Sequence, residues 1–564
     1  MNVHNFFFQR VHNGPESIPD NWRFLVDAGT ERALSGKQFY ERIRDGATVI
    51  QSELSLRKGR NLVGIVSENC TEYVTLIHAL LASTVPVVPL SSYSTPFELA
   101  YLLRQSGVTH LFVSPHFLDL VRKVAKEAGL RDEDIYILDR TDHLSGRESK
   151  SKRKSFGELI ESVRRKGVPR ASVQDAPKDT LAYLLFSSGT TGHPKAVMVS
   201  HYNICHQMRQ FLLIAQESGK VVPTELMVLP FHHTYGLTSV AFRSLLVPLT
   251  IVIMPKWDTR RALHLVQKYQ VTRVPLVPSL VHQIVTYLQS PAGRKDRPTA
   301  LASLVSIGSG AAYLPPALAD ELAKMAPKTE RVTQGFGMSE STMTATSYVP
   351  DGTFGRTKHV PGSNGILLAD MEAKLLREDG NEAGVNEPGE LYLRGGNVAM
   401  GYWGKEFEKA TRDTFLPDGW LRTGDIFRID EHGNFFFEDR AKDTLKVSGM
   451  QVAPSEIEDV LLAHPDRLVI DATVAGVSGG RTSDEKVPRA WVVLGPAGKR
   501  KGAKASTDAL DEWVRSRLSK YKWLRGGIEV VDQIPKSPTG KVLRRQLVEK
   551  YERRRGASAA KAKL

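Results

Sequence analysis

The sequence predicts an α/β protein: a large N-terminal domain of βα-layered sheets with a β-rich subdomain, followed by a small α+β domain. Three observations lead there. At 564 residues the chain is too long for one hydrophobic core and should divide. From Ala33 to about Pro255, short apolar β-rich runs alternate with helical patterns, as parallel strands covered by helices do. The texture then changes twice, to Gly/Pro-punctuated strands around Ile366–Gly404 and to a fresh helix-and-strand series after Asn434-Phe-Phe-Phe-Glu438.

The expected elements follow in order. Leu62–Val66, Val85–Pro89, Leu111–Val113 and Leu226–Leu229 read as short strands between helices. Val247–Pro255 reads as a buried strand, too short to span a membrane. The alternation continues through Thr272–Val277 and Leu304–Ile307, and Glu372–Leu376 and Gly389–Arg394 belong to the β-rich subdomain. Beyond Asp439 the pattern predicts a helix over Pro454–Ala463, strands near Asp471–Val477 and Ala490–Leu494, and a helix over Thr507–Leu518. The low-complexity stretch Gly495–Ser506 reads as a loop. Domains of residues 1–439 and 440–564 result, the second of ordinary domain size with a basic tail.

Composition excludes several classes. The net charge of +14 sits largely in Arg147–Arg170 and in the stretch from Lys499 onward. Neither run is interleaved with aromatic residues, so a solvated surface is expected and no nucleic-acid partner. A basic surface also suits anionic small-molecule ligands. The two cysteines, Cys70 and Cys205, have neither metal-ligand nor disulfide-framework spacing, which points to a reducing compartment. Met1-Asn-Val-His-Asn-Phe-Phe-Phe lacks the features of a secretory signal. Ala562-Lys563-Leu564 is a near match to the Ser-Lys-Leu peroxisomal address, so the import receptor is an expected partner and the peroxisome, otherwise the cytoplasm, the expected location.

Chemistry concentrates first in Leu184-Leu-Phe-Ser-Ser-Gly-Thr-Thr-Gly-His-Pro-Lys-Ala-Val197. An apolar strand enters a loop in which Gly189 and Gly192 let successive N–H groups turn toward one anion. Ser187, Ser188, Thr190 and Thr191 add hydroxyl donors and Lys195 adds a positive charge, which together make a cradle for polyphosphate. It is not the G-x-x-x-x-G-K-[ST] nucleotide loop. Further motifs follow: Leu229-Pro-Phe-His-His-Thr-Tyr-Gly236, Gly308-Ser-Gly-Ala-Ala312, Gln334-Gly-Phe-Gly-Met-Ser-Glu340, Gly419-Trp-Leu-Arg-Thr-Gly-Asp425, Asp439-Arg440, Lys446-Val-Ser-Gly-Met-Gln-Val-Ala-Pro454 and Pro535-Lys-Ser-Pro-Thr-Gly-Lys541.

Taken together in this order, these motifs resemble the adenylate-forming superfamily of acyl-CoA synthetases, 4-coumarate–CoA ligases, firefly luciferase and peptide-synthetase adenylation domains. The resemblance covers nearly the whole chain and is strongest to the 4-coumarate–CoA ligase-like branch. It implies an acid–thiol ligase using ATP, Mg²⁺ and coenzyme A, with a mobile C-terminal domain that swivels as a lid. The Ser187–Lys195 loop would hold the β- and γ-phosphates. Phe336 would lie against adenine, with Gly335 and Gly337 clearing space, Ser339 keeping a hydroxyl and Glu340 serving as the Mg²⁺ carboxylate. Asp425 and Arg440 would hold the ribose, and Lys446 and Gln451 would touch the nucleotide. Lys541 would offset the repulsion between the acid and ATP and align in-line attack on the α-phosphorus. Lys442 takes the hinge position, and Gly449 would leave room for the pantetheine arm. The neighbouring Ser448 departs from the lysine of many ligases of this branch. His233 would stand at the mouth of the acid and thiol channels, and Tyr235, Ser239, Gly310 and Met343 would line the acid pocket. Met343-Thr344 replaces a common Pro-Val pair, which turns the expectation away from 4-coumarate and toward another aromatic acid or a medium- or long-chain acid. Transfer to a carrier protein or amine, or a luciferase-like oxygenation, is the alternative outcome of the same motifs.

Overall fold

The computed structural model describes all residues except 20–21, 188–193, 216–222, 312–313, 315, 350, 353–359, 378, 441–444, 448–449, 453, 480–485, 536–543 and 562–564. It is mixed α/β, and the chain groups into two compact units. The first comprises Met1–Ser92, Ala100–Phe186 and Lys195–Asp439; the second comprises Tyr93–Leu99, Ser187–Pro194 and Arg440–Leu564.

Among the described residues the first unit holds sheets of nine, six and four strands. Strands Val63–Val66, Val87–Leu90 and His110–Val113 pair in parallel in the six-stranded sheet, while Thr224–Met227, Thr250–Ile253, Arg273–Leu276 and Ser306–Ser309 do so in the nine-stranded one. Val63–Val66 and Val87–Leu90 are apolar throughout, as strands covered by helices are, whereas Glu225, Arg273 and Ser306 put polar groups near the starts of three strands of the larger sheet. The helix Thr71–Ala82 is buried from Tyr73 through Ala82, so its sequence is apolar all round rather than amphipathic. It shares a core with Phe24, Phe39 and Phe242, and with the N-terminal Phe6, Phe7 and Phe8, which are packed inside. The four-stranded sheet carries the antiparallel strands Met371–Leu376, Gly389–Gly395 and Leu421–Ile429.

The second unit has its own core. An antiparallel pair, Val469–Ser478 with Lys486–Leu494, is extended in parallel by Ile528–Val530 and packed by the helices Pro454–Leu462 and Ala503–Arg517. The loop expected over Gly495–Ser506 is instead a helix, Pro496–Lys501, followed by the start of Ala503–Arg517. Low complexity misled here: Pro suits the first turn, Ala and Lys are good helix formers, and Gly502 at φ +88 separates the two helices.

The basic run 147–170 is not merely solvated. Arg153 pairs with Asp132, Arg164 with Asp45 at 2.6 Å, Lys166 with Glu53 at 2.9 Å and Arg170 with Glu41 and Asp45.

A buried brace joins the two large sheets. His143 Nδ1 lies 2.8 Å from Asp27, which ends the strand Arg23–Asp27, and its Nε2 lies 3.1 Å from Asp139, just beyond Ile135–Ile137. Burial lowers the imidazole pKa, but the hydrogen bonds to Asp139 and Asp27 outweigh it and hold His143 protonated far above its usual range. Burial raises both carboxyls, and the bond to His143 then brings each below its ordinary value. The raised His143 pKa contributes stability that is kept from acid to neutral pH and is lost only at alkaline pH. The lowered carboxyl pKa values contribute stability that is present above their ordinary 3.8 and is lost as pH falls further. His143→Ala removes the counter-charge of buried Asp27 and half-buried Asp139, though Thr30 and Thr141 still donate to them, and should destabilise by about 2–3 kcal/mol at pH 7. Thermal melts should show the gap between wild type and variant closing below about pH 4.

Candidate active site

Strand Leu181–Ser187 ends at Ser187, and strand Lys195–Ser200 begins with Lys195. Ser188, Gly189, Thr190, Thr191 and Gly192 of the expected phosphate cradle lie outside the described residues. Lys195 is buried, with its Nζ 5.0 Å over the ring of Tyr402. Backbone pairing sets this contact: Met198 N donates to Gly401 O at 2.9 Å, and Trp403 N to Ala196 O at 2.8 Å. The Tyr402 hydroxyl donates to Glu340 Oε1 at 2.9 Å, and Ala399 N donates to Glu340 O at 2.9 Å. Burial and then the Glu340 charge push the Tyr402 phenol well above its ordinary pKa, so it remains a donor. One aromatic ring thus carries the cation on its face and orients the carboxylate with its hydroxyl. Tyr402 went unrecognised in the sequence, where an aromatic between Gly401 and Trp403 reads as core.

Among the described residues no group of three or more His, Cys, Asp or Glu could hold a metal ion. Glu340 presents one buried, oriented carboxylate, and a single hard-oxygen donor would fit the way Mg²⁺ binds when phosphates supply most of its shell. Tyr402→Phe should raise the Mg²⁺ concentration needed for half-maximal rate and lower kcat/KM for ATP by about tenfold. A magnesium titration of AMP release checks this.

The Glu340 segment is a tight turn, Ser339–Ser341, with Ser339 buried. Beyond it, Thr342 and Met343 both have positive φ, at 59° and 129°. Two amides hold this strained backbone. Gln207 Nε2 donates to Thr344 O at 3.0 Å while its Oε1 accepts from Thr344 N at 3.2 Å. Asn397, fully buried, donates to Ser341 O and Thr344 O at 3.2 Å each and accepts on its backbone oxygen from Thr342 Oγ1 at 2.6 Å. Neither amide was anticipated.

A Cβ on Gly337 would stand 1.5 Å from Met343 O, and one on Gly335 would stand 2.9 Å from Thr346 O. Where a Cβ would stand, the returning backbone already lies, so both glycines permit a close chain crossing. Met343, expected to line the acid pocket, is itself buried.

Phe336 ends the strand Val332–Phe336 and meets Phe427 edge to face at 4.7 Å. Phe427 lies two residues after Asp425 on the strand Leu421–Ile429, which places both on one side. Register slips between Glu390 and Tyr392 opposite this strand, and Gly424 takes φ +73 within the bulge. Asp425 is buried there, its N–H donating to Thr423 Oγ1 at 3.1 Å.

In the second unit, Arg440 is the last residue of the strand Phe435–Arg440, and Lys446 pairs with Gln451 across a two-stranded hairpin. Their side chains lie outside what is described, as do Lys442, Ser448, Gly449, Lys541 and Ala562-Lys563-Leu564 entirely.

On the acid side, His233 caps the short helix Thr234–Leu237, its Nδ1 accepting from Tyr235 N at 3.4 Å. Gly236 is required there, because a Cβ would stand 2.3 Å from Pro230 O. His232 is buried, and burial followed by the neighbouring His233 lowers its pKa to about 3, so it is a neutral imidazole. The Tyr235 ring lies on Gly310, where a Cβ would meet it at 3.0 Å. Ser239 is buried with its Oγ unbonded among the described residues.

A profile of the AMP-binding enzymes matches residues 15–403, and one of the AMP-binding enzyme C-terminal domain matches residues 456–541. The chain belongs to the AMP-binding enzyme family. This AMP-binding enzyme is 32% identical over 558 residues to a probable 4-coumarate–CoA ligase 1 of Dictyostelium discoideum, covering 97% of this chain and 94% of that protein. It is 28% identical to a peroxisomal OPC-8:0-CoA ligase 1 of Arabidopsis thaliana, over 97% and 93% of the two chains. An amide bond synthetase from Marinactinospora thermotolerans shares the fold, with TM-score 0.78, 22% identity and coverage of 98% and 100%.

Proposed function

We propose that this AMP-binding enzyme is an ATP-dependent acid–thiol ligase: a carboxylic acid and ATP give an acyl-adenylate and pyrophosphate, and coenzyme A then displaces AMP. The observation that carries this reading is the buried Lys195–Tyr402–Glu340 arrangement, a cation and an oriented carboxylate held by one ring. It is supported by the CoA ligase that is 32% identical along nearly the whole chain.

In this reading Lys195, with the loop before it, draws in the triphosphate and lowers the charge that repels an incoming carboxylate. Glu340 holds Mg²⁺, which when bound supplies charge neutralisation at the phosphates. Asp425 accepts from the ribose hydroxyls, and Phe336 offers a face to the base. Lys541 completes the adenylation step, and Lys442, Arg440, Lys446, Gln451 and Gly449 keep the roles that the family resemblance implies. Buried hydroxyls and Tyr235 point to an acid other than a plain hydrocarbon chain. A peroxisomal site is proposed from the printed location of the Arabidopsis relative.

A panel of aromatic, medium-chain and long-chain acids, scored for AMP release with and without coenzyme A, tests the function. Release that requires both an acid and coenzyme A is expected. ATP bound tightly without pyrophosphate exchange for any acid would sink it.

A further inference from the structure

A charged cluster acts on Tyr235, one of the residues expected to line the acid pocket, and no role in the ligase reaction accounts for it. Glu225, on the strand Thr224–Met227, has a side chain only 3% exposed. Arg243 reaches it at 3.2 Å and Arg273 at 3.9 Å. Among the described residues, the ion pairs of both arginines run to this one carboxylate. Two guanidiniums share one buried carboxylate, which leaves a surplus positive charge on side chains that are 29% and 37% exposed and so open to a second anion. Burial, and then the charge of Arg243, lower the pKa of Arg273.

Periodicity connects this cluster to the pocket. Tyr235, Ser239 and Arg243 are spaced four apart along a stretch that runs from α through π to 3₁₀ helix between Thr234 and Leu245, and the charge of Arg243 acts on Tyr235. On the sheet, Ser306 and Gly308 alternate on one face of the strand Ser306–Ser309, and Gly310 follows in the same phase. Arg273 is in register with Ser306 on one side and with Glu225 on the other. Tyr235 links the two layers: its ring lies on Gly310, and its hydroxyl is 3.7 Å from where a Gly308 Cβ would stand. Its phenol pKa is raised to about 12 by burial, with Arg243 and Glu225 both acting on it. The buried hydroxyl of Ser239, unbonded among the described residues, lies between Tyr235 and Arg243 along the helical stretch. From Gly310 to the level of Ser306 is four residues, about 13 Å at about 3.3 Å per residue.

The geometry points to Arg243 and Arg273, over Glu225, as the end wall of the acid pocket, selecting acids that carry a second carboxylate at the far end of a medium-length chain. This rests on the ligase reading and names its substrate class. Arg243 would pair with the distal carboxylate, and Glu225 would hold both guanidiniums in place when that carboxylate is absent.

The test uses the full-length enzyme with MgATP and coenzyme A, comparing kcat/KM for AMP release with octanedioate against octanoate. Octanedioate is expected to be preferred, and Arg243→Met to lower the diacid-to-monoacid ratio on the order of a hundredfold. Arg273→Met should lower the same ratio less, and it decides the matter should Arg243→Met fail to fold. Arg243→Lys, which keeps the charge, should restore part of the ratio. A wild-type preference for octanoate, or a ratio unchanged in both methionine variants, overturns the assignment while leaving the ligase reading intact. AMP release with no acid at all would overturn both.

Discussion

Lys541→Ala is expected to lower acyl-adenylate formation by about 10²–10³-fold while sparing thioester formation from a supplied acyl-adenylate. The first half-reaction brings a carboxylate against a triphosphate, and the like charges oppose in-line attack. An ammonium group at the developing charge is worth about as much as one preorganised donor in other polar sites. The second half-reaction begins from an adenylate in which that repulsion is already gone. ATP–pyrophosphate exchange measures the first step, and CoA-dependent AMP release from the adenylate measures the second. Normal exchange in the variant would remove Lys541 from the chemistry, and equal loss in both assays would point to a misfolded C-terminal unit.

Gly337→Ala is expected to be among the most damaging single changes in the first unit. Its Cβ would stand 1.5 Å from Met343 O, against backbone that is already strained at Thr342 and Met343 and tied by Gln207 and Asn397. The clash cannot be relieved by a side-chain rotation, so the turn that carries Glu340 must shift. A stability loss above about 3 kcal/mol is expected, together with loss of adenylation. The two explanations of this glycine separate cleanly. A glycine that merely makes room for adenine would give a variant with an ordinary melting temperature and a raised KM for ATP; a glycine required by the chain crossing gives a lowered melting temperature without any ligand.

Much of the fold was legible in the chain because its signals are local. The runs Leu62–Val66 and Leu111–Val113 announce buried parallel strands by apolarity, and Thr272–Val277 by its place in the alternation of helices and β-rich runs; each lies on or within two residues of an observed strand. Low complexity masks the helix Pro496–Lys501, whose signals are the proline of its first turn and the helix-forming residues after it. In the site, residues set among glycines and hydroxyls were visible: Lys195, Phe336, Glu340 and Asp425. Tyr402, Gln207 and Asn397 were not, since a buried tyrosine or amide has no local signature until its partner across the fold is known.

The order of motifs by itself determined the family and the kind of chemistry, because loop composition dictates which groups can meet a phosphate, a sugar or a metal. Only the tertiary structure decided what backbone Gly335 and Gly337 lie against, which ring joins Lys195 to Glu340, and that Glu225, Arg243 and Arg273 converge. Those three come from separate elements far apart in sequence, and nothing local couples them. Parallel register brings Arg273 level with Glu225, and a helical stretch delivers Arg243 to the same carboxylate. Proximity across a sheet is a property of packing, and packing is settled by the whole chain at once.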